Sequence, residues 1–372
     1  MAEQYKINHA ELAERLAVPD GRVLLGMDGF IDEVWQIIKS RAGNDEYALY
    51  EKMSDFSQTL ASCDEGGFSN EIVRKRRSYG GFTANTGKAV SRMGVTTTML
   101  GRFGKNRIDS VFAEFAESSK LMSVGEPGLC PIYEFTDGKL MLPYIQEVMS
   151  FDWRALTDVV DEGELKALFA EADIIALGYW SLMPSFDEIV GEACRLLKDD
   201  PKPRRMFFDF ADIRKRDRAS LEATLKQLSE RGRQIPMTLS LNEHEAAILF
   251  SYYGVSIVEE AEGAAEQTEK IRAIIGLDEL VVHTPYFAAS ASASEGACAV
   301  PQDYCTSPII TTGAGDNFNG GYISALLKGL PMAERLAVAN AVTYLYVSKG
   351  ASPEKADVLE KLAAADTLTV YS

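Results

Sequence analysis

Histidine is scarce in this 372-residue chain: His9, His244 and His283 are too few and too scattered for a histidine metal site. The five cysteines, Cys63, Cys130, Cys194, Cys298 and Cys305, are odd in number and form no CxxC pair. That pattern excludes a zinc ribbon and a disulfide framework, and reduced thiols in a cytoplasmic protein are the plain reading. Basic residues are outnumbered, with 38 Lys+Arg against 55 Asp+Glu and a formal charge of −17. This balance argues against general nucleic-acid binding, which needs clustered cations on phosphates, yet it leaves room for a local basic pocket. No run approaches the roughly 20 apolar residues of a spanning helix. The opening segment Met1–Arg15 carries acidic side chains and no apolar signal-peptide core, so no membrane partner is expected. There is no internal repeat and no long linker.

What the chain does contain is core material, 46% hydrophobic and 25% charged residues, the balance of a soluble globular protein. Arg22–Met27, Thr96–Phe103, Asp173–Leu177, Arg205–Phe210, Met237–Leu241 and Leu280–His283 read as strands. Between them Phe82–Met93, Arg107–Glu117, Phe186–Leu197, Leu221–Glu230 and Glu243–Tyr252 read as helices. Such alternation predicts an α/β fold, a mostly parallel central sheet covered by helices on both faces. One interruption breaks it. Cys130–Phe135 and Lys139–Pro143 flank Thr136-Asp137-Gly138, a hairpin signal. A small β lid is expected from about residues 30–50 and 130–145, on a chain that reads as one domain over 1–372. Glu259–Lys270 reads as an exposed acidic helix face, and Ala288–Ala299 as a strand pair turning at Glu295-Gly296 or a mobile loop.

The sharpest local signal is Ile309-Ile310-Thr311-Thr312-Gly313-Ala314-Gly315-Asp316-Asn317-Phe318. Phe318, Tyr322, Ala325 and Leu326 then repeat at helical spacing, so the glycines sit where an extended segment enters a helix. Small residues there let backbone N–H groups converge on one spot, and the helix dipole favours an anion. Asp316 in the same turn is placed to accept a proton from an attacking hydroxyl, the pairing that phosphoryl transfer requires. Ordinary capping is the bland alternative. No Gly-Lys-Ser/Thr follows, so this is not a Walker A loop.

Thr311-Thr312-Gly313-Ala314-Gly315-Asp316 strongly resembles the C-terminal signature of the ribokinase-like (PfkB) carbohydrate kinases. The resemblance implies that Asp316 is the catalytic base and that the amides of Gly313, Ala314 and Gly315 form an anion hole. Gly80-Gly81-Phe82-Thr83-Ala84-Asn85, continuing to Arg92-Met93-Gly94, is similar to the family's N-terminal sugar-contacting signature. Gly101-Arg102-Phe103-Gly104 follows where the family has its next turn. Asn242-Glu243-His244-Glu245 resembles the Asn-x-x-Glu motif that organises Mg²⁺ through water, although Asn followed by Glu at this spacing is also a capping box. Ala339-Asn340-Ala341 and Gly350-Ala351 look like the helix beside the nucleotide, which puts Asn340, with Thr312, at the donor. The family's sugar-binding aspartate past the first strand is matched by Asp32, with Asp28 as second choice. Gly80 and Gly81 would admit a polyol close to the backbone, and Asn85 offers it a donor and an acceptor.

The resemblance therefore implies a ribokinase-like fold and ATP-dependent transfer of a phosphoryl group to a sugar hydroxyl, with Mg²⁺. ADP stays open as donor, because the spacing from Gly26 to Asp32 looks closer to the ADP-dependent sugar kinases. Three departures stand out. Ile310 replaces an aspartate often involved in monovalent-cation binding, and no Gly-x-x-Gly turn follows Leu280–His283. Basic runs, Arg74-Lys75-Arg76-Arg77 and Arg214-Lys215-Arg216, read as solvated surface or as a grip on a charged substrate. Two rivals remain: a nucleoside kinase stacking its base on Tyr179-Trp180, and a non-catalytic sugar sensor on the same scaffold. The lid's edge strands also offer a route to a homodimer.

Overall fold

The computed structural model describes residues 2–18, 21–63, 67–364 and 366–372. An eleven-stranded sheet forms its centre. Ser119–Ser123, Thr96–Gly101, Arg22–Gly26, Ile174–Gly178, Arg205–Asp209, Met237–Asn242 and Glu279–His283 lie side by side and parallel. Beyond Glu279–His283 the pairing turns antiparallel through Phe287–Ser292, Gly296–Pro301, Thr367–Tyr371 and Ala2–Lys6. Every predicted strand is present within two residues at each end. Ala288–Ala299 is the strand pair rather than the loop.

The parallel strands are apolar throughout because successive side chains enter different cores. Leu24, Ile175, Leu177 and Phe208 pack on one face against Phe186, Ile189, Leu221 and Leu225. Val23, Leu25, Ile174, Ala176 and Phe207 pack on the other against Phe82, Phe318, Tyr322 and Leu336. On that second face the helices Ala314–Leu327 and Met332–Lys349 are tied to the sheet by one buried carboxylate. Glu279 is 0% exposed and accepts from Tyr322 Oη (2.8 Å), Arg335 Nη1 (2.9 Å) and Thr238 Oγ1 (2.8 Å).

The lid is a separate sheet built around the 12-residue strand Phe30–Arg41. Ile72–Gly80 pairs with it antiparallel, Gly128–Phe135 parallel, and Tyr47–Leu49 antiparallel at its far end. Gly138–Met141 completes the expected hairpin, but Phe135 pairs with Gly138, so the turn is Thr136-Asp137 and Gly138 is already in the ladder. Ile72–Gly80 contains the basic run and was not expected, since four consecutive charges mask the alternation of a strand. Arg107–Glu117 is a shorter 3₁₀ helix, Ser110–Glu117, begun by the Asp109 side chain. Glu259–Lys270 is helical only from Ala264, and Ala264, Ala265, Thr268, Ile271 and Ile275 of Ala264–Ile275 are buried. No helix among the described residues is long and apolar enough to cross a membrane.

Candidate active site

The parallel strands Arg205–Asp209, Met237–Asn242 and Glu279–His283 deliver Asp209, Asn242 and His283 to one edge of the sheet. Ligands in open α/β sheets bind outside these carboxyl ends. The helix Ala314–Leu327 points its N-terminus at the same place. Two adjoining cavities open there. One, of about 280 Å³, is lined by Asp209, Asp212, Glu245, Gly313, Gly315 and Asp316 among others. The second, of about 390 Å³, includes Thr284, Tyr304, Cys305, Thr343 and Val347. Asn242, His244, His283, Thr311, Ala314 and Gly315 line both, making one continuous cleft.

Gly313 caps the helix in the left-handed region (φ 85°), a conformation that costs glycine little. Among the described residues the N–H groups of Gly313, Gly315 and Asp316 have no hydrogen-bond partner, and a helix start leaves such donors free for an anion. Ala314 is a correction. Its N–H turns back to the Thr311 carbonyl at 3.2 Å, so it is engaged in the turn rather than offered to a ligand. Thr312 is a second correction, because it is exposed and lines neither cavity, whereas Thr311 lines both. The Thr312 carbonyl instead accepts a 2.7 Å hydrogen bond from Tyr346 Oη.

Asp316 stands in the first turn, where Asn85 Nδ2 donates to its Oδ2 at 2.9 Å. Asn85, expected on the sugar, therefore holds the carboxylate that was read as the base. Burial raises the Asp316 carboxyl well above its ordinary value, and the charges of Asp209, Asp28 and Asp32 add to the rise. Asp209 was missed as a site residue, its one sequence signal being its place at the end of an apolar strand. It accepts from Ala211 N–H (2.8 Å) and Asn319 Nδ2 (2.6 Å), and burial raises it as well. Both Ala211 (φ 56°) and Tyr179 (φ 66°) hold strained left-handed backbones beside it.

The acceptor-side aspartates separate. Asp28 is 0% exposed, and its Oδ1 accepts from Thr83 N–H (2.8 Å) and Thr83 Oγ1 (2.5 Å). It anchors the start of the helix Phe82–Arg92 and presents no surface to a sugar, which removes the second-choice assignment. Asp32 lies on the central lid strand, pushed up to about 6 by burial against the opposing pull of Arg76 and Lys139. Its field reaches Asp316 and Tyr346. The Gly-Gly pair serves these carboxylates rather than a polyol directly. A Cβ on Gly80 would stand 2.7 Å from Asp32 Oδ2, and one on Gly81 (φ 95°) would collide with Asp28 Oδ2.

Asn242 and Glu245 form the capping box. Glu245 N–H donates to Asn242 Oδ1 and Asn242 N–H to Glu245 Oε2, both at 3.0 Å. Burial and the nearby Asp209 raise Glu245 well above its ordinary value. Asn340 does not line the cleft itself: it lines a third cavity of about 230 Å³ with Lys361 and Thr367 that adjoins the cleft at Gln302 and Asp303, while Thr343 and Val347 of its helix face the cleft. Trp180 is 0% exposed, donates Nε1–H to Thr224 Oγ1 and lies under the Arg216 guanidinium. Trp180 therefore offers no face to a base, whereas Tyr179 of the same pair lines the first cavity. His283 stacks on Phe318 at 4.6 Å, and burial lowers its pKa to about 4, so it is a neutral wall behind Gly315. In the basic runs, Arg77 is bidentate on Asp109 (2.7 and 2.8 Å) and Arg214 on Asp212 (2.7 and 2.9 Å). These two cations are committed to neighbours, while Arg214 also lines the first cavity and the Arg76 charge acts on Asp32, so the runs are not wholly solvated surface.

A family description, prokaryotic ketohexokinase, matches residues 4–364. A ketohexokinase of Haloferax volcanii is 28% identical over 341 residues, covering 90% of this chain and 89% of that protein. A carbohydrate kinase from Agrobacterium tumefaciens superimposes with a TM-score of 0.64 at 17% identity, over 94% of this chain and 100% of that one. Arabidopsis thaliana ribokinase, complexed with ribose and ATP, does so with a TM-score of 0.64 at 18% identity, over 92% and 98%. The fold is ribokinase-like, as the four motifs implied.

Proposed function

The chain belongs to the prokaryotic ketohexokinase family and is a carbohydrate kinase, and from that premise we propose that it phosphorylates a hydroxyl of a ketohexose with ATP. The observation that carries the chemistry is one helix turn. Asp316 presents a carboxyl raised by burial, and the free amides of Gly313, Gly315 and Asp316 lie beside it. A hydroxyl facing Asp316 loses its proton to the carboxylate as it attacks the terminal phosphoryl group, whose bond to the β-phosphate oxygen breaks so that ADP leaves. The amides then take up the charge that develops on the equatorial oxygens. Asn85 keeps the base in orientation throughout. Asp32, on the lid strand, accepts from sugar hydroxyls on the acceptor side. The lid closes over the sugar and keeps water from competing as acceptor.

The donor lies along the cleft, its base in the cavity between Tyr304, Cys305, Thr343 and Val347. Mg²⁺ fits the other cavity through water. Asp209, Asp212 and Glu245 face it together, Asp209 raised by burial and Glu245 by burial and the Asp209 charge, a state that a divalent cation relieves. Mg²⁺ usually keeps several waters and takes few protein ligands, so these carboxyls would hold it through water. When bound, the ion neutralises donor-phosphate charge. The test is an acceptor panel with ATP or ADP, covering fructose, fructose 6-phosphate, ribose and nucleosides. Fructose with ATP is expected to lead. A clear preference for a nucleoside, or for ADP as donor, would overturn the assignment.

A further inference from the structure

The Thr312–Gly313 peptide is the part of the anion loop that the helix does not hold. Thr312 precedes the helix Ala314–Leu327, so no rung of its ladder fixes the plane of that carbonyl. The partner comes from another element. Tyr346, in the last turn of Met332–Lys349, donates its hydroxyl to Thr312 O at 2.7 Å, and its residue is 9% exposed. Gly313 sits directly under that hydroxyl. A Cβ there would stand 2.9 Å from Tyr346 Oη and 3.6 Å from Asn85 Nδ2, the atom that bonds Asp316.

We infer that Tyr346 is a positioning residue for phosphoryl transfer, holding the Thr312 carbonyl so that the Gly313 N–H is aimed into the cavity. A peptide unit is a rigid plane with its C=O and N–H on opposite sides, so fixing the oxygen fixes the direction of the hydrogen. A hydrogen bond accepted by the carbonyl also polarises the unit and strengthens the N–H as a donor. Burial pushes the phenol up to about 12, with Asp316 and Asp32 adding to the rise against Arg76, so the donor proton stays in place at neutral pH. The glycine completes the device, because a side chain at position 313 would take the space the hydroxyl occupies.

This assignment rests on the helix start being the anion hole of a sugar kinase, and the test separates the two claims. Tyr346→Phe keeps the ring and removes only the hydroxyl. With fructose and ATP, kcat is expected to fall roughly five- to thirtyfold, the loss of one oriented hydrogen bond. KM for both substrates and the melting temperature should stay at the wild-type values, a split that a packing defect does not give. A kcat within twofold of wild type would overturn the role of Tyr346 while leaving the kinase reading intact. So would a loss of kcat accompanied by a matching rise in KM or a clear fall in melting temperature. Wild-type protein inactive on fructose and on the rest of the acceptor panel would bring down both claims.

Discussion

Asp316 and Asp209 share a cavity wall, and the Asp209 charge makes Asp316 harder to ionise. A base with a raised carboxyl gains proton affinity but is ionised only above its own pKa, so kcat should rise with pH through that raised value. Removing a neighbouring negative charge favours the charged form of Asp316. In Asp209→Asn the acid limb of the kcat–pH profile should therefore move to lower pH, whatever the change in height. An unmoved limb would mean that the two carboxylates do not interact during turnover. Asp28 shows the opposite outcome for a buried acid. It too is pushed up to about 6 by burial, but its Oδ1 is engaged by Thr83 at the start of the helix, so it acts on the site through its field on Asp316.

Two helices carry most of the candidate machinery, and Glu279 fastens both to the sheet through Tyr322 and Arg335. Glu279→Ala would leave the Arg335 guanidinium, 1% exposed, with only Glu295 as counter-charge. A loss of about 3–5 kcal/mol is expected, read from denaturant unfolding. A loss below about 1 kcal/mol would show that the network does not hold these helices. At this scale the sequence was legible where local rules act alone. The turn Gly313–Asp316 announced itself through glycine, a following helical repeat and an acid in the first turn. Asn242 and Glu245 were legible as a pair but ambiguous in role, since a capping box and a metal-water site use the same spacing. The strand Ile72–Gly80 was hidden because Arg74-Lys75-Arg76-Arg77 break any apolar alternation, and it is joined to Phe30–Arg41 through the backbone ladder with only Gly80 buried. Tyr346 was hidden for a different reason: its role depends on a contact between residues 34 apart in sequence, and periodicity says nothing about such pairs.

For the molecule as a whole, the two sheets divide the labour. The central sheet brings Asp209, Asn242 and His283 to one edge, and the lid brings Asp32 to face them. The lid also carries exposed apolar side chains at Met141 (46%), Leu142 (54%) and Tyr144 (54%) beside its outer strand. We expect this edge to pair with a second copy, so sedimentation should show a dimer, and a monomer at all concentrations would rule that out. The motifs gave the order of the chain through the fold, but the lid's full extent and the burial of Trp180 emerge only from packing. The central claim is that Asp316 removes the acceptor proton, and one comparison tests it most directly. Steady-state turnover of fructose and ATP by Asp316→Asn should be roughly 10²–10⁴-fold below wild type, with KM for the sugar little changed. Turnover within a few-fold of wild type would contradict the account and place the base elsewhere.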